Sequence, residues 1–180
     1  MSTSYETASP PIAAKPKDRR ILALAISALV VIADRVTKHL VAQQLPFGQA
    51  HTVIPGIFRI TDVHNTGAAF SMFAENASPA TVRNILIGFS AIAVAVLFTM
   101  LMRTGRYLSV TSVALALILG GAFGNLYDRI RYHYVIDFLE VHIVHYHWPD
   151  FNVADSCIVI GAGLLLIEIF RPQPGNGTLA

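Results

Sequence analysis

Two long runs without a charged residue constrain this chain more than any other feature of its sequence. Residues 84–102 and 107–127 contain no Asp, Glu, Lys or Arg, and a helix of about 20 apolar residues crosses the hydrocarbon core of a bilayer. Residues 21–45 and 153–170 are also strongly apolar but each carries a few charges. We therefore predict an all-α membrane protein, a four-transmembrane-helix bundle with spans at about 21–45, 84–102, 107–127 and 153–170.

The overall composition agrees with a membrane protein. Hydrophobic residues make up 54% of the chain, charged residues 13%, and the mean hydropathy is +0.55, whereas soluble domains carry roughly 25% charged residues. The formal net charge is +2 with no dense basic patch, so neither disorder nor nucleic-acid binding is expected. A single cysteine, Cys157, excludes an internal disulfide framework and a cysteine-rich zinc site.

Basic residues in the flanks of the spans predict the orientation, because short cytoplasmic segments carry an excess of Lys and Arg. One side has its basic residues close to the spans: Lys15, Lys17, Arg19, Arg20, Arg103, Arg106 and Arg171. The other side has fewer, spread over longer loops: Arg59, Arg83, Arg129 and Arg131. We predict that both termini are cytoplasmic, with tails at 1–20 and 171–180 that lack regular structure and a membrane domain at 21–170.

The two long outer loops have strand-like patterns. Residues 58–63 alternate with a period of two, and residues 132–143 are rich in β-branched and aromatic side chains. Such patterns are typical of strands. We predict a small β-sheet formed by the two outer loops.

Polar side chains from separate segments are expected at one depth, near the outer boundary of the membrane. They are Asp34, Lys38, Asn65, Asn125, Asp128, Asp137, Asn152 and Asp155. Ionisable groups in membrane segments are costly, and their default interpretation is functional. Simpler explanations are also available: Asp34 and Lys38 form an i, i+4 pair, and Asn152 with Asp155 resembles a helix cap. Asp128 and Arg129 would form an ion pair where a helix leaves the bilayer.

Two further motifs have alternative interpretations. Gly120 and Gly124 have the spacing of a close helix–helix contact, which needs no functional role. His142, His145 and His147 are close in sequence, but in one continuous strand His142 would face away from the other two. The sequence also lacks a helical His-x-x-x-His pair, so no metal site is expected.

Five segments together resemble the motifs of the bacterial lipoprotein signal peptidases (signal peptidase II), in the order of that family. They are Asp34-Arg35-Val36-Thr37-Lys38, Asn65-Thr66-Gly67-Ala68-Ala69-Phe70, Gly120-Gly121-Ala122-Phe123-Gly124-Asn125-Leu126-Tyr127-Asp128-Arg129, Val135-Ile136-Asp137-Phe138 and Phe151-Asn152-Val153-Ala154-Asp155-Ser156. Any one of them is a weak signal, but five in register, covering about residues 20–170, are specific.

The resemblance implies an aspartic endopeptidase of the bacterial inner membrane, with its active site near the periplasmic face. It would remove signal peptides from prolipoproteins whose lipobox cysteine carries diacylglycerol, without a metal or other cofactor, and would be inhibited by globomycin. Asp137 and Asp155 would be the catalytic pair. The substrate-binding and supporting residues would be Asp34, Lys38, Asn65, Gly121, Asn125, Asp128, Arg129 and Asn152. The expected partners are the prolipoprotein and membrane lipid, and the expected oligomeric state is a monomer.

Aspartic-peptidase chemistry explains why the pattern needs two carboxylates. An ionised carboxylate removes a proton from water while a neutral one protonates the scissile carbonyl, and two carboxylates about 3 Å apart share one proton. A membrane transporter or proton relay is the main alternative, because intramembrane charges also mark ion paths. A lipoprotein-binding scaffold without catalysis is another. The clustering of the polar residues at one face, with no inverted repeat, opposes the transporter.

Overall fold

A computed structural model describes residues 17–67, 78–144 and 146–171. Its helices are α1 (Arg20–Gln44), α2 (Pro79–Thr104), α3 (Val110–Arg131) and α4 (Val153–Phe170). Its strands are β1 (Ala50–Ile54), β2 (Phe58–Asn65), β3 (Val135–Ile143) and β4 (Tyr146–His147), in an antiparallel sheet of order β1-β2-β3-β4. The predicted tails fall almost wholly outside the described residues, as do His145 and the Ala68-Ala69-Phe70 end of the second motif.

The mostly helical fold and the small sheet are confirmed, with corrections at the helix ends. Helix α2 begins at Pro79 rather than 84, because the Ser78 hydroxyl accepts a hydrogen bond from Thr81 N and proline suits the first turn. Helix α3 begins at Val110 rather than 107, after a capping box between Ser109 and Ser112, and continues to Arg131 rather than ending at 127. Strand β1 is an element that the sequence pattern did not predict.

Three helices, α2, α3 and α4, are long and apolar enough to cross a membrane within the described residues. Helix α1 is long enough at 25 residues but is not among them, since Asp34, Arg35 and Lys38 lie in its second half. The four helices are therefore present where the sequence predicts them, whereas the count of four spans stays a prediction.

The buried face of α1 changes character along the helix. Its buried residues recur every three or four positions, as one helical face requires: Ala23, Ser27, Val30, Asp34 and Lys38. The first part packs on α3, where Ala23 joins a core with Leu101, Leu115 and Leu119 and where the Ser27 hydroxyl donates to the Ala116 carbonyl at 2.8 Å. The second part is charged and lies beside the site described below.

Small residues bring α3 close to its neighbours, as the Gly120/Gly124 spacing predicts. A Cβ at Gly120 would lie 2.7 Å from the Ser27 carbonyl oxygen of α1, and a Cβ at Gly124 would lie 2.8 Å from Asp34 Oδ2. Gly121 packs against the Ala154 carbonyl at the start of α4. These close approaches place the polar ends of α1, α3 and α4 next to one another.

Candidate active site

Asp137 lies on β3 with its side chain buried, 2% exposed. Its Oδ1 accepts a hydrogen bond from Asn152 Nδ2 at 2.8 Å, and its Oδ2 accepts one from Asn65 Nδ2 at 2.9 Å. The Asn65 amide is held in this orientation because its Oδ1 accepts from Gly67 N, where the backbone has a positive φ of 80°. Burial raises the pKa of Asp137 to about 6, an effect that the asparagine hydrogen bonds partly oppose and the nearby Asp155 charge reinforces.

Asp155 lies in the first turn of α4 and is half-buried. Its Oδ1 accepts from Asn125 Nδ2 at 2.8 Å, and its Oδ2 accepts from the backbone N of Asn152 at 3.2 Å. The Asn152 side chain accepts from Asp155 N in return, so the two residues form a capping box. The simpler explanation from the sequence, a helix cap, is therefore present, and it orients the same carboxylate toward α3.

Asn152 joins the two aspartates. Its Nδ2 donates to Asp137 Oδ1 while its Oδ1 and backbone N bond to Asp155. No hydrogen bond joins the two carboxylates directly, and each of their four oxygens accepts from an asparagine side chain or a backbone amide. The structure thus links the two carboxylates through Asn152, and the sharing of one proton between them stays a prediction. Each carboxylate oxygen keeps a lone pair for water or substrate.

A fully buried charge network supports this site from α1 and α3. Lys38 Nζ lies 2.8 Å from Asp34 Oδ2, 2.7 Å from Asp128 Oδ2 and 3.2 Å from Asn125 Oδ1. Asp34 Oδ1 accepts from Ala154 N at 3.1 Å, which satisfies one of the unpaired amides at the start of α4. The Asp34–Lys38 pair predicted from the sequence is confirmed, and Asp128 extends it.

Arg35 is a member of this network that sequence reasoning did not single out. Its guanidinium pairs with Asp128, donates to the Tyr132 hydroxyl at 3.2 Å and lies over the Tyr127 ring at 4.7 Å from its centroid. In the whole network, the acidic side chains of Asp34 and Asp128 therefore face the basic side chains of Lys38 and Arg35. The sequence contained a feature that could have identified Arg35, because it is the third charged residue in the otherwise apolar predicted first span, with Asp34 and Lys38.

Arg129 and Gly121 have more peripheral positions than the other predicted residues. The Arg129 guanidinium is half-buried, donates to the Asn125 carbonyl at 3.3 Å and acts electrostatically on Asp155 and Asp137. The suggested ion pair of Asp128 with Arg129 is replaced, among the described residues, by pairs of Asp128 with Lys38 and Arg35. Gly121 supports the site by allowing α3 and α4 to approach. The predicted residues thus gather around one point between β3, α1, α3 and α4.

The histidines lie elsewhere, and one expectation about them is wrong. Strands β3 and β4 form a hairpin in which His142 is paired with His147, and their ring centroids are 5.0 Å apart. The two side chains therefore share a face, because the chain reverses between them. With Glu140 they form the group of possible metal ligands found in the described part of the chain.

Comparisons with known proteins agree with this architecture. A family model described as signal peptidase (SPase) II matches residues 26–171. A lipoprotein signal peptidase of Alteromonas mediterranea is 45% identical over 81% of this chain and 79% of its own length. One of Pseudomonas putida is 43% identical over 86% and 90%. A solved bacterial membrane enzyme with 31% identity superposes with a TM-score of 0.78 over 88% of this chain and 99% of its own.

The family match at residues 26–171 covers nearly the whole predicted membrane domain. This decides between the peptidase and transporter interpretations in favour of the peptidase. The chain belongs to the signal peptidase II family and is a bacterial membrane protease.

Proposed function

We propose that this enzyme removes signal peptides from diacylglyceryl-modified prolipoproteins by an aspartic mechanism that uses Asp137 and Asp155. The observation that carries the proposal is the Asn152 bridge, which holds a buried carboxylate of β3 and a carboxylate of α4 in one hydrogen-bonded unit. Relatives named lipoprotein signal peptidase supply the substrate class.

The environments of the two carboxylates favour different protonation states. Asp155 lies in the first turn of α4, where the helix dipole favours an anion, and it accepts two N–H groups. Asp137 is buried, and its pKa is raised to about 6. In the pair, the arrangement with the proton on Asp137 is therefore favoured, although the titration belongs to the pair as a unit.

The reaction follows from this arrangement. The ionised Asp155 takes a proton from water, whose oxygen attacks the carbonyl carbon before the lipid-modified cysteine. Asp137 donates its proton to the carbonyl oxygen, which gives a tetrahedral gem-diol. When this intermediate collapses, the C–N bond breaks, the departing cysteine nitrogen takes the proton that Asp155 removed, and one hydroxyl returns its proton to Asp137 as the new carboxyl group forms. Asn65 and Asn125 keep the carboxylates oriented throughout, and Arg129 is placed to offset developing negative charge.

The membrane arrangement is part of the proposal. Helix α1 crosses the bilayer with the other three helices, both termini are cytoplasmic, and the sheet with the site lies at the periplasmic face of the inner membrane. The three charges in the second half of α1 face the protein: Asp34 and Lys38 are 0% exposed, and Arg35 pairs with Asp128 of α3. A monomer contains every residue named in the site.

Cleavage of a defined substrate tests the function. Purified protein in detergent should convert a diacylglyceryl-modified prolipoprotein to its mature form, and should leave the same precursor uncut when its cysteine is unmodified. Globomycin should inhibit the reaction. Equal cleavage of modified and unmodified precursors would contradict the substrate assignment but would still show a protease. If a folded protein cleaves neither precursor, the proposed function itself is contradicted.

Cysteine labelling tests the orientation. In a Cys157→Ser background, Gln49→Cys, near β1, should react with a membrane-impermeant maleimide from the periplasm, whereas Arg106→Cys, between α2 and α3, should react only after the membrane is permeabilised. Both positions are exposed side chains. The reverse pattern would place the site on the cytoplasmic face.

A further inference from the structure

The β3–β4 hairpin brings three metal-ligating side chains to one point, away from the aspartate pair. Glu140 Oε1 lies 2.6 Å from His142 Nε2 and 3.2 Å from His147 Nε2. The ligand atoms of all three lie within 4.8 Å of one another. In a tetrahedral zinc site with bonds of about 2.0–2.2 Å, ligand atoms are separated by roughly 3.3–3.5 Å, so small side-chain rotations would suffice.

A fourth oxygen is available at the same point. Asp150 Oδ1 is buried without a hydrogen-bond partner and lies 3.6 Å from His147 Nε2. A buried carboxylate oxygen with no partner carries an energetic cost that a bound cation would remove. Two imidazoles with two carboxylates form a ligand set suited to first-row divalent metals such as zinc.

Glu140 is already oriented by an outer partner. Arg59 Nε donates to Glu140 Oε2 at 2.8 Å and Arg59 Nη2 donates to Glu140 Oε1 at 2.5 Å, and the Glu140 side chain is only 4% exposed. Outer partners of this kind fix ligating carboxylates in metal sites. The histidines are more accessible, with 33% of the His142 side chain and 51% of the His147 side chain exposed, so an ion could enter from solvent.

We propose that Glu140, His142, His147 and Asp150 form a binding site for one divalent transition-metal ion, zinc being the representative case. His142 would turn its Nε2 lone pair from Glu140 toward the ion and carry its proton on Nδ1. With Arg59 included, the carboxylates and the guanidinium sum to one negative charge around the dication, which favours binding. One of the two arguments against a metal site, that His142 faces away from His147 in a continuous strand, no longer holds because the two residues pair across a hairpin.

The position of this site gives it a structural consequence. Glu140 follows Asp137 by three residues on β3, and Asp150 precedes Asn152 by two. The ion would therefore clamp the connection between the two aspartates, across a turn in which β-branched Val144 has an unfavourable positive φ of 59°. The metal site is separate from the peptidase chemistry, and the peptidase function does not depend on it.

Direct metal binding tests the proposal. Protein purified without a polyhistidine tag and stripped with a chelator is titrated with Zn²⁺ against a chromophoric competitor. We expect one equivalent to bind with a Kd of about 1 µM or tighter. The His142→Ala/His147→Ala double variant should bind at least ~100-fold more weakly and Asp150→Asn about 10-fold more weakly. His39→Ala, at an exposed histidine of α1, should match the wild type.

A spectroscopic measurement on the wild type tests the proposal without relying on the folding of the variants. Co²⁺ in the site should give the intense visible absorption of four-coordinate cobalt, and one equivalent of Zn²⁺ should remove it. Wild-type affinity weaker than about 100 µM, an octahedral cobalt spectrum, or binding unchanged in the double histidine variant would each overturn the proposal. Cleavage of the prolipoprotein is assayed separately, so a failure here leaves the proposed function untouched.

Discussion

Two groups of acidic residues lie side by side in this protein, and their partners differ in kind. Asp34 and Asp128 face the cations Lys38 and Arg35. Asp137 and Asp155 receive their hydrogen bonds from neutral donors, the amides of Asn65, Asn125 and Asn152 and one backbone N–H. The first group is neutralised as a set, whereas the second is oriented without being neutralised.

The difference separates a structural role from a chemical one. A carboxylate with a bonded cation holds helices together, because losing either partner leaves an uncompensated buried charge. A carboxylate held by amides keeps its position in either protonation state. Burial, reinforced by the nearby Asp155 charge, raises the pKa of Asp137. An aspartic pair needs carboxylates held by neutral amides, because one member of the pair must hold a proton.

The largest expected effect concerns the amide-held group. Asp137→Asn and Asp155→Asn should each lower the cleavage rate by at least about 10³-fold, and the double variant should lose little more, because residues that act as a unit are not additive. Asparagine caps a helix about as well as aspartate, so the Asp155 variant should remain folded. Asp18→Asn, at an exposed residue, is the control. Near-wild-type cleavage by either single variant would end the aspartic assignment.

The cation-held group should respond through stability. Lys38→Met keeps the volume but leaves Asp34 without its cation, and removing one partner of a buried pair costs about 3–5 kcal/mol. Arg59→Met breaks a more exposed pair with Glu140, 42% exposed on the arginine side, and in metal-free buffer should cost about 1 kcal/mol or less. Thermal unfolding in detergent compares the two. Equal losses would mean that the buried network is not specially stabilising.

The pH dependence of stability separates the groups further. The pKa of Asp137 is raised from 3.8 to about 6 in the folded protein, so the folded state holds this proton more tightly than the unfolded state does. Its contribution is fully present below pH 4 and is lost as the pH rises through about 6, on the order of 2–3 kcal/mol in total. The Tm of the wild type should therefore fall more between pH 5 and pH 8 than that of Asp137→Asn. Parallel curves would contradict the raised pKa.

Arg129 should show a moderate effect, since it lies at the edge of the amide-held group. Arg129→Lys keeps the charge but loses the planar donor fork, and we expect kcat/KM to fall about tenfold, which corresponds to ~1.4 kcal/mol. Arg131→Lys, at an exposed arginine on the same turn of α3, should change it less than twofold. Similar losses in both variants would indicate an effect of general surface charge.

The smallest effect is expected at Cys157. The thiol lies in α4 two residues after Asp155 and has no role in either group of aspartates. Cys157→Ser should leave the cleavage rate within about twofold of the wild type. A strong loss in a folded serine variant would reveal a nucleophile that the aspartic mechanism does not include.

Much of the fold follows from local patterns in the sequence. The uncharged runs of α2 and α3 predict helices, and the alternation at 58–63 predicts β2, because apolar periodicity reflects which side of a local element is buried. The starts of α2 and α3 were less well predicted. Each is set by a capping hydrogen bond, to Ser78 or Ser109, and a search for apolar residues does not detect such a bond. Strand β1 has every residue exposed, so no burial pattern marks it.

The sequence by itself determined that the chain has apolar helices and that Asp34, Lys38, Asp128 and Asp155 are too costly in lipid to be incidental. The sequence also predicted the Asp34–Lys38 pair within α1. Only the tertiary structure decided that Asp128 receives cations and that Asp137 and Asp155 receive asparagine amides, because those partners come from different elements and are set by packing. It also decided that His142 and His147 share a face, since a chain reversal inverts the alternation of a strand. Local periodicity can be read from residues that are neighbours in the sequence. Hydrogen bonds between α1, β3, α3 and α4 form only when those elements pack together.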